Sequence, residues 1–308
     1  MASATVDAPI VGWPPSLPAG SQGGDLAARE RTQTRVRWEL LANLVRKDLK
    51  VKYQNSTLGF VWSLLNPLWL LAVYGVVFGV VLKNGVPKFP VYLMSGLLVW
   101  NLFSGGVTGG AGSIVGNAGL VKKVRFPLAV LPLASVGFAF VHFVLQLGVF
   151  MVVLVVTLQD VWGLQLLLFV PGLVLGVTFT VAMAFLVAAL NVRYRDTEHL
   201  LELVMFAWFW VSGTIYAGGL IRNVTHSGWA TRLFFSDPMA AVVAIMHRAF
   251  WPLDPHATAG SGGAAVLPSA GYAWYFEQFA IGMAVSLVVL YAGRRLFVRW
   301  QADFAEAL

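Results

Sequence analysis

Long apolar stretches, separated by short polar segments, dominate the chain from residue 58 onward. A helix needs about 20 mostly apolar residues, with a range of about 17–25, to cross the hydrocarbon core of a bilayer. Six stretches meet this requirement: 58–82, 91–110, 128–158, 163–190, 200–216 and 274–297. The pattern therefore predicts an all-α integral membrane protein with six transmembrane helices.

Two shorter patterns accompany the six spans. Residues 35–54 carry apolar side chains at helical spacing, with basic side chains largely off that stripe, and so predict an amphipathic helix at the inner membrane interface. The stretch MAAVVAIMHRAFW, between spans five and six, is apolar but too short to cross a bilayer, and it lies between Pro238 and Pro252. Because irregular backbone at membrane depth must be shielded by protein, this stretch predicts re-entrant or interface-lying short helices in the outer loop.

The distribution of Lys and Arg predicts the orientation. If the N-terminus is cytosolic, 16 of the 21 Lys and Arg residues lie on the inner side, as cytosolic loops of membrane proteins favour. Both termini are then inside, and the basic segment GLVKKVRFPLAVLP faces the cytosol. The predicted parts are a flexible cytosolic tail (1–34), the interface helix (35–54), the six-span domain (55–300) and a cytosolic C-terminal tail (301–308).

Composition excludes a water-soluble protein. Hydrophobic residues make up 58% of the chain, charged residues make up 11%, and the mean hydropathy is +0.74, whereas soluble domains carry about 25% charged residues. The net charge of +7 fits loops that face anionic membrane lipid, so no nucleic-acid partner is predicted. The absence of cysteine excludes disulfides and thiolate metal sites.

Motifs of an enzyme are missing from the sequence. No phosphate-binding loop of the form G-x-x-x-x-G-K-[ST] occurs, and GGAGSIVGNAG lacks the required lysine. This glycine-rich stretch predicts close helix packing or a bend. We therefore expect a chain that is not an enzyme by itself, with no metal site and no cofactor of its own.

Polar and aromatic residues inside the spans are candidates for a pathway. His142 lies well inside span three and is interpreted either as a helix–helix hydrogen-bonding group or as a polar point on a pore wall. Phe206, Trp208 and Trp210 lie in the middle of span five. They are compatible with an interfacial aromatic belt or with a path on which sugar rings stack, and the sequence leaves both open.

Four segments together resemble one family. RKDLKVKYQNSTLGFVWSLLNPL, NAGLVKKVRFPLAVLPLA, NVRYRDTEHLLELVMFAWFWVSGTIY and DPMAAVVAIMHRAF stand in the order found in polysaccharide and polyol-phosphate export permeases of the ABC type-2 exporter family, the Wzm/TagG/KpsM-like subunits. The sequence departs from that pattern in three places: Leu128–Ala129 replace Arg-Glu, Ser212–Gly213 replace Ser-Pro, and Asp237 replaces Asn. Glycine in place of the proline still permits a bend.

The resemblance implies a permease subunit that exports a lipid-diphosphate-linked polysaccharide of the O-antigen, teichoic acid or cell-wall galactan type across the bacterial cytoplasmic membrane. The implied partners are a second copy of the chain, two ATPase subunits that bind ATP and Mg, the lipid-linked glycan and membrane lipid. The alternative is the permease subunit of a small-molecule or drug exporter.

The resemblance, together with charge and position, also gives four sets of candidate residues. The set that couples to the ATPase comprises Leu120, Lys122, Lys123, Arg125, Phe126 and Pro127. The interface helix contributes Trp38, Arg46, Lys47, Lys50 and Tyr53. The candidates for binding the lipid diphosphate are Lys47, Lys50, Lys52, Arg193 and Arg195. The candidates that line a channel between two copies are Phe206, Trp208, Trp210 and His142.

Overall fold

The computed structural model describes residues 22–54, 65, 68–69, 72–81, 86, 88–123, 126–157, 163–225, 228–251, 258–259, 264–268 and 271–308. The chain divides into two compact units, Met1–Leu40 and Leu41–Leu308. The described part is helical apart from loops and one antiparallel pair of two-residue strands, β1 (Thr258–Ala259) and β2 (Ala264–Ala265). The predicted all-α class is confirmed at this level.

Eleven α-helices have both of their bounds within the described part of the chain. They are α1 (Gln22–Tyr53), α2 (Phe89–Gly112), α3 (Ala118–Lys123), α4 (Val130–Thr157), α5 (Phe169–Arg193), α6 (Thr197–Val211), α7 (Gly218–Thr225), α8 (Gly228–Phe235), α9 (Pro238–Phe250), α10 (Tyr272–Trp300) and α11 (Phe304–Ala307). A π-helical segment (Gly75–Val81) and two short 3₁₀ helices (Val115–Asn117 and Leu164–Leu168) also occur, and the described residues 65, 68–69 and 72–74 are α-helical as well.

Four described helices are long and apolar enough to cross a membrane: Phe89–Gly112, Val130–Val155, Leu164–Arg193 and Tyr272–Trp300. They correspond to the predicted spans two, three, four and six. Predicted span one (58–82) is described only at residues 65, 68–69 and 72–81, so its full extent is not tested. Predicted span five is α6, whose 15 residues rise about 22 Å, less than the ~30 Å of a bilayer core.

Helix α2 is the centre of the bundle and packs against α4, α5, α6 and α9. Its glycines bring α5 close. A Cβ at Gly110 would lie 2.8 Å from the Cβ of Ala184, and one at Gly106 would collide with Thr180. The predicted close packing of the glycine-rich stretch is therefore confirmed for the part that lies in α2.

The stretch between α6 and α10 folds into short helices, as the sequence predicts. Helix α6 ends at Val211, and Gly213 follows with a positive φ of 76°, a conformation that glycine adopts readily. Helices α8 and α9 meet at 91°, and every residue of α9 is buried. Asp237 caps α9 by accepting from the amide of Met239 at 3.1 Å, and Pro238 fits the first turn because that turn needs no amide donor.

Both ends of the chain contain helix where tails were predicted. Helix α1 begins at Gln22, inside the predicted tail 1–34. Near the C-terminus, α11 packs against α5 and α3. Its Phe304 is buried and meets Phe297 edge to face, with ring centroids 5.3 Å apart.

Candidate functional site

The segment between α2 and α4 exposes two lysines next to a buried apolar residue. In α3, Val121 is buried and Leu120 is half-buried, whereas Lys122 and Lys123 are exposed. Phe126 and Pro127 follow without regular structure, and Arg125 lies outside the described residues. Residues 118–127 contain the predicted coupling segment; next to its buried Val121, the side chains of Lys122 and Lys123 project outward.

The C-terminal part of α1 is hydrogen-bonded to the turn that precedes α3. The ammonium group of Lys47 donates to Oδ1 of Asn117 at 3.0 Å, and Nδ2 of Asn117 donates to the carbonyl oxygen of Ser113 at 2.8 Å. Lys47 also lies 3.7 Å from the carboxylate of Asp48. Asn117 therefore links α1 to the turn before α3, a connection across 70 residues that no sequence pattern indicates.

A second link joins the end of α1 to α4. Nδ1 of His142 lies 2.9 Å from the carbonyl oxygen of Phe138, so it carries the proton and leaves Nε2 as an acceptor. The hydroxyl of Tyr53 donates to Nε2 at 2.5 Å, and the ammonium group of Lys52 lies 3.4 Å from the same atom. This geometry fits the interpretation of His142 as a helix–helix hydrogen-bonding group. Its role in a channel stays a prediction.

Lys52 is exposed at the end of α1, and its ammonium group lies beside two aromatic rings. Its ammonium group lies 5.1 Å from the ring centre of Phe138 and 5.9 Å from that of Tyr53. Burial lowers the pKa of the Lys52 ammonium group. A cation held by ring faces keeps N–H donors available for a further anion.

The remaining basic candidates lie on separate elements. Arg46 and Lys50 are exposed on α1, and Arg195 is exposed beyond the end of α5. Arg193 lies 5.0 Å from the ring centre of Trp300, beside a cavity of about 250 Å³ that also borders Asp303. Trp38 belongs to the unit Met1–Leu40, and its side chain is 65% exposed.

The three aromatic candidates of α6 lie in two different environments. Phe206 and Trp210 are exposed, by 71% and 43%, on the face that also presents Leu203. Trp208 is half-buried, and its indole N–H donates to Oδ2 of Asp237 at 2.8 Å. Its ring meets those of Phe103 and Phe179 edge to face in the core. The Asp-Pro pair at residues 237–238 is a capping signal that the sequence shows. The sequence does not show that the indole of Trp208 hydrogen-bonds to Asp237.

Comparison with known proteins follows the same segments. Residues 39–247 match the family described as ABC-2 type transporter. An O-antigen export system permease protein RfbA of Myxococcus xanthus is 32% identical over 270 residues, covering 87% of this chain and 95% of that protein. An O-antigen export system permease protein RfbA of Klebsiella pneumoniae is 33% identical over 190 residues, covering 60% of this chain and 71% of that protein. The polysialic acid transport protein KpsM of Escherichia coli is 22% identical over 216 residues, covering 68% of this chain and 80% of that protein.

Proposed function

The chain belongs to the ABC-2 type transporter family, and from this premise we propose that it is the membrane permease subunit of an ATP-driven exporter of a lipid-diphosphate-linked polysaccharide. The observation that carries the proposal is the similarity to an O-antigen export permease, because it covers 87% of this chain. The similarity to a polysialic acid transport protein supports the same class of cargo. The protein is a multi-pass protein of the bacterial cytoplasmic membrane.

Energy comes from a separate subunit in this proposal. The 308 residues contain no phosphate-binding loop, so ATP and Mg are bound by two partner ATPase chains. The coupling segment is the surface that meets them, since Lys122 and Lys123 are exposed next to apolar side chains that pack inward. The hydrogen bonds of Lys47 with Asn117 and of Tyr53 with His142 support a transfer of movement from this surface to α1 and α4.

Two copies of the chain form the conduit. We infer six spans per copy with both termini inside, because this orientation places most cations on the cytosolic side. A glycan carries many hydroxyl groups, each costly to bury without a hydrogen-bond partner, so the path must be wet. The exposed face of α6 with Phe206 and Trp210 supports a wall on which sugar rings stack. Near the inner mouth, Lys52 is the best placed of the diphosphate candidates, because rings rather than carboxylates hold its ammonium group.

Charge reversal in the coupling segment tests the partnership. We expect the double variant Lys122→Glu/Lys123→Glu to co-purify at least about fivefold less ATPase from native membranes than the wild-type chain. In this proposal the two lysines meet an acidic surface of the ATPase, and the two introduced carboxylates would repel that surface. Arg232→Glu, which reverses an exposed cation on α8, serves as a control at the opposite end. Unchanged co-purification in the double variant would contradict the assignment of the coupling segment.

Depletion of the protein tests the cargo. If it exports a glycan, a lipid-linked saccharide accumulates in the inner leaflet and its polymer disappears from the cell surface. Accumulation of a small molecule, with surface polymers intact, would instead favour the drug-exporter alternative.

A further inference from the structure

Arg248 is a buried cation whose charge is not balanced within the described part of the chain. It lies in the last turn of α9, and its side chain is 3% exposed. Among the described residues, its Nε and Nη1 have no hydrogen-bond acceptor. The ion pairs found between described residues join Arg35 to Glu39 and Lys47 to Asp48, so Arg248 has no carboxylate partner there.

Two interactions offset part of the free-energy cost of burying the charge of Arg248. The guanidinium carbon lies 4.7 Å from the ring centre of Tyr272, a cation–π contact. The position in the last turn also places the cation near the negative end of the α9 dipole. Neither contact supplies acceptors for the unsatisfied N–H groups, and arginine does not escape by losing its proton. A buried charge of this kind needs a hydrogen-bonded counter-charge.

The depth of Arg248 in the bundle indicates where that counter-charge comes from. Helix α9 begins at Pro238, whose Cα would lie 3.6 Å from a Cβ on Gly282, ten residues or about 15 Å along α10 from Tyr272. It ends near the first turn of α10, where Tyr272 is 39% exposed. In the proposed orientation this is the outer boundary of the bilayer, where the phosphates of lipids lie.

We propose that Arg248, with Tyr272 beneath its guanidinium group, forms a phosphate-binding site at the outer end of the bundle. Guanidinium N–H groups match phosphate oxygens in geometry and charge. The phosphate belongs either to a phospholipid headgroup of the outer leaflet or to the diphosphate of the exported glycan lipid. The second source rests on the proposed function, whereas the first does not.

Thermal unfolding of the purified full chain in detergent measures this binding through its 12 tryptophans. The probes are phosphatidylglycerol, farnesyl diphosphate as a diphosphate on a lipid chain, and farnesol as the same chain without phosphate. Arg248→Met removes the charge and keeps an apolar stem. Arg248→Lys keeps the charge and loses the planar donors. Arg232→Met removes an exposed arginine of α8 as the matched control.

We expect the Arg248→Met variant to bind at least one phosphate probe about tenfold or more weakly than the wild-type chain, since the lost hydrogen bonds are charge-assisted. Arg232→Met should bind like the wild type, and farnesol should act equally on all chains. A response to phosphatidylglycerol alone assigns the site to phospholipid, and a stronger response to farnesyl diphosphate assigns it to the cargo.

Three results would overturn the proposal: wild-type protein that binds neither phosphate probe, Arg248→Met that binds both like the wild type, or Arg232→Met that loses as much affinity as Arg248→Met. If Arg248→Met does not fold, Arg248→Lys is the deciding variant. Unchanged affinity for both phosphate probes in that variant would show that the planar guanidinium donors are not needed, and would contradict the proposal. The assay uses the chain without its ATPase, so its result is independent of the coupling test above.

Discussion

The indole of Trp208 donates a hydrogen bond to Asp237, and this contact joins α6 to the start of α9. The carboxylate of Asp237 also accepts from the amide of Met239, so one side chain caps α9 and holds Trp208. Inside a water-poor bundle an unpaired carboxylate is costly. We infer that Trp208 fixes the position of the buried helix α9, whatever part its ring takes in the cargo path.

Trp208→Phe tests the hydrogen bond with most of the ring area retained. We expect the apparent free energy of unfolding, measured by SDS titration in mixed micelles, to fall by about 1.5–3 kcal/mol, as for a hydrogen bond to a charged group. Trp210→Phe on the exposed face should change it by less than about 0.5 kcal/mol. Asp237→Asn should lower stability less in the Trp208→Phe background than in the wild type, and strict additivity would show that the two residues are not coupled.

For single residues, the sequence predicted the kind of interaction a side chain makes, but not the residue that it interacts with. His142 is predicted as a hydrogen-bonding group between helices, and its geometry fits that interpretation, but its partner Tyr53 lies 89 residues away. Asp237 marks a helix start by its side chain, yet the indole that it binds comes from another helix. Such pairs depend on how helices are placed in space, which local periodicity does not encode.

Among the helices, the contact of α2 with α5 depends most directly on small residues. A methyl group on Gly110 would lie 2.8 Å from the Cβ of Ala184 and 3.0 Å from its Cα. Backbone atoms cannot move aside as a flexible side chain can. The two helices must therefore separate when this glycine is enlarged, and α2 carries the centre of the core with it.

Gly110→Ala is accordingly expected to lower the free energy of unfolding by about 1–3 kcal/mol through overpacking. Gly119→Ala is the matched change in α3, where nothing lies within 4 Å of an added Cβ. There alanine should be neutral or should stabilise by up to about 1 kcal/mol, because glycine is the poorer helix former. Equal effects of the two substitutions in SDS titration would show that close packing is not the cause.

Helix bounds were predictable where bilayer thickness alone sets the length. Helices α2, α4 and α10 begin and end within about three residues of the predicted spans, since apolar length decides their extent. Helix α6 is shorter than predicted because its end depends on one backbone conformation, the positive φ of Gly213. Helix α1 extends further towards the N-terminus than predicted, in a segment that lacks an apolar stripe.

At the scale of the whole molecule, the question is whether the exposed apolar face of α6 contacts another copy of the chain or lipid. The exposed face of α6 carries Leu203, Phe206 and Trp210, and α6 is shorter than the four described helices that are long enough to cross a membrane. A helix of about 22 Å does not match the bilayer by itself, and mismatched helices are accommodated in part by association. This supports the proposal that α6 lies against a second copy of the chain, with its aromatic residues towards the proposed conduit.

Cross-linking tests this arrangement with unusual clarity because the sequence contains no cysteine. A single Phe206→Cys substitution places one thiol on the exposed face of α6, and a flexible bis-maleimide added to membranes should join two copies into a covalent dimer. Leu287→Cys places the thiol on α10, where Leu287 is also exposed and apolar, and should remain largely monomeric because lipid covers that face. If Leu287→Cys gave the stronger dimer band, the second copy would lie against α10, and the aromatic face of α6 would face lipid rather than the cargo.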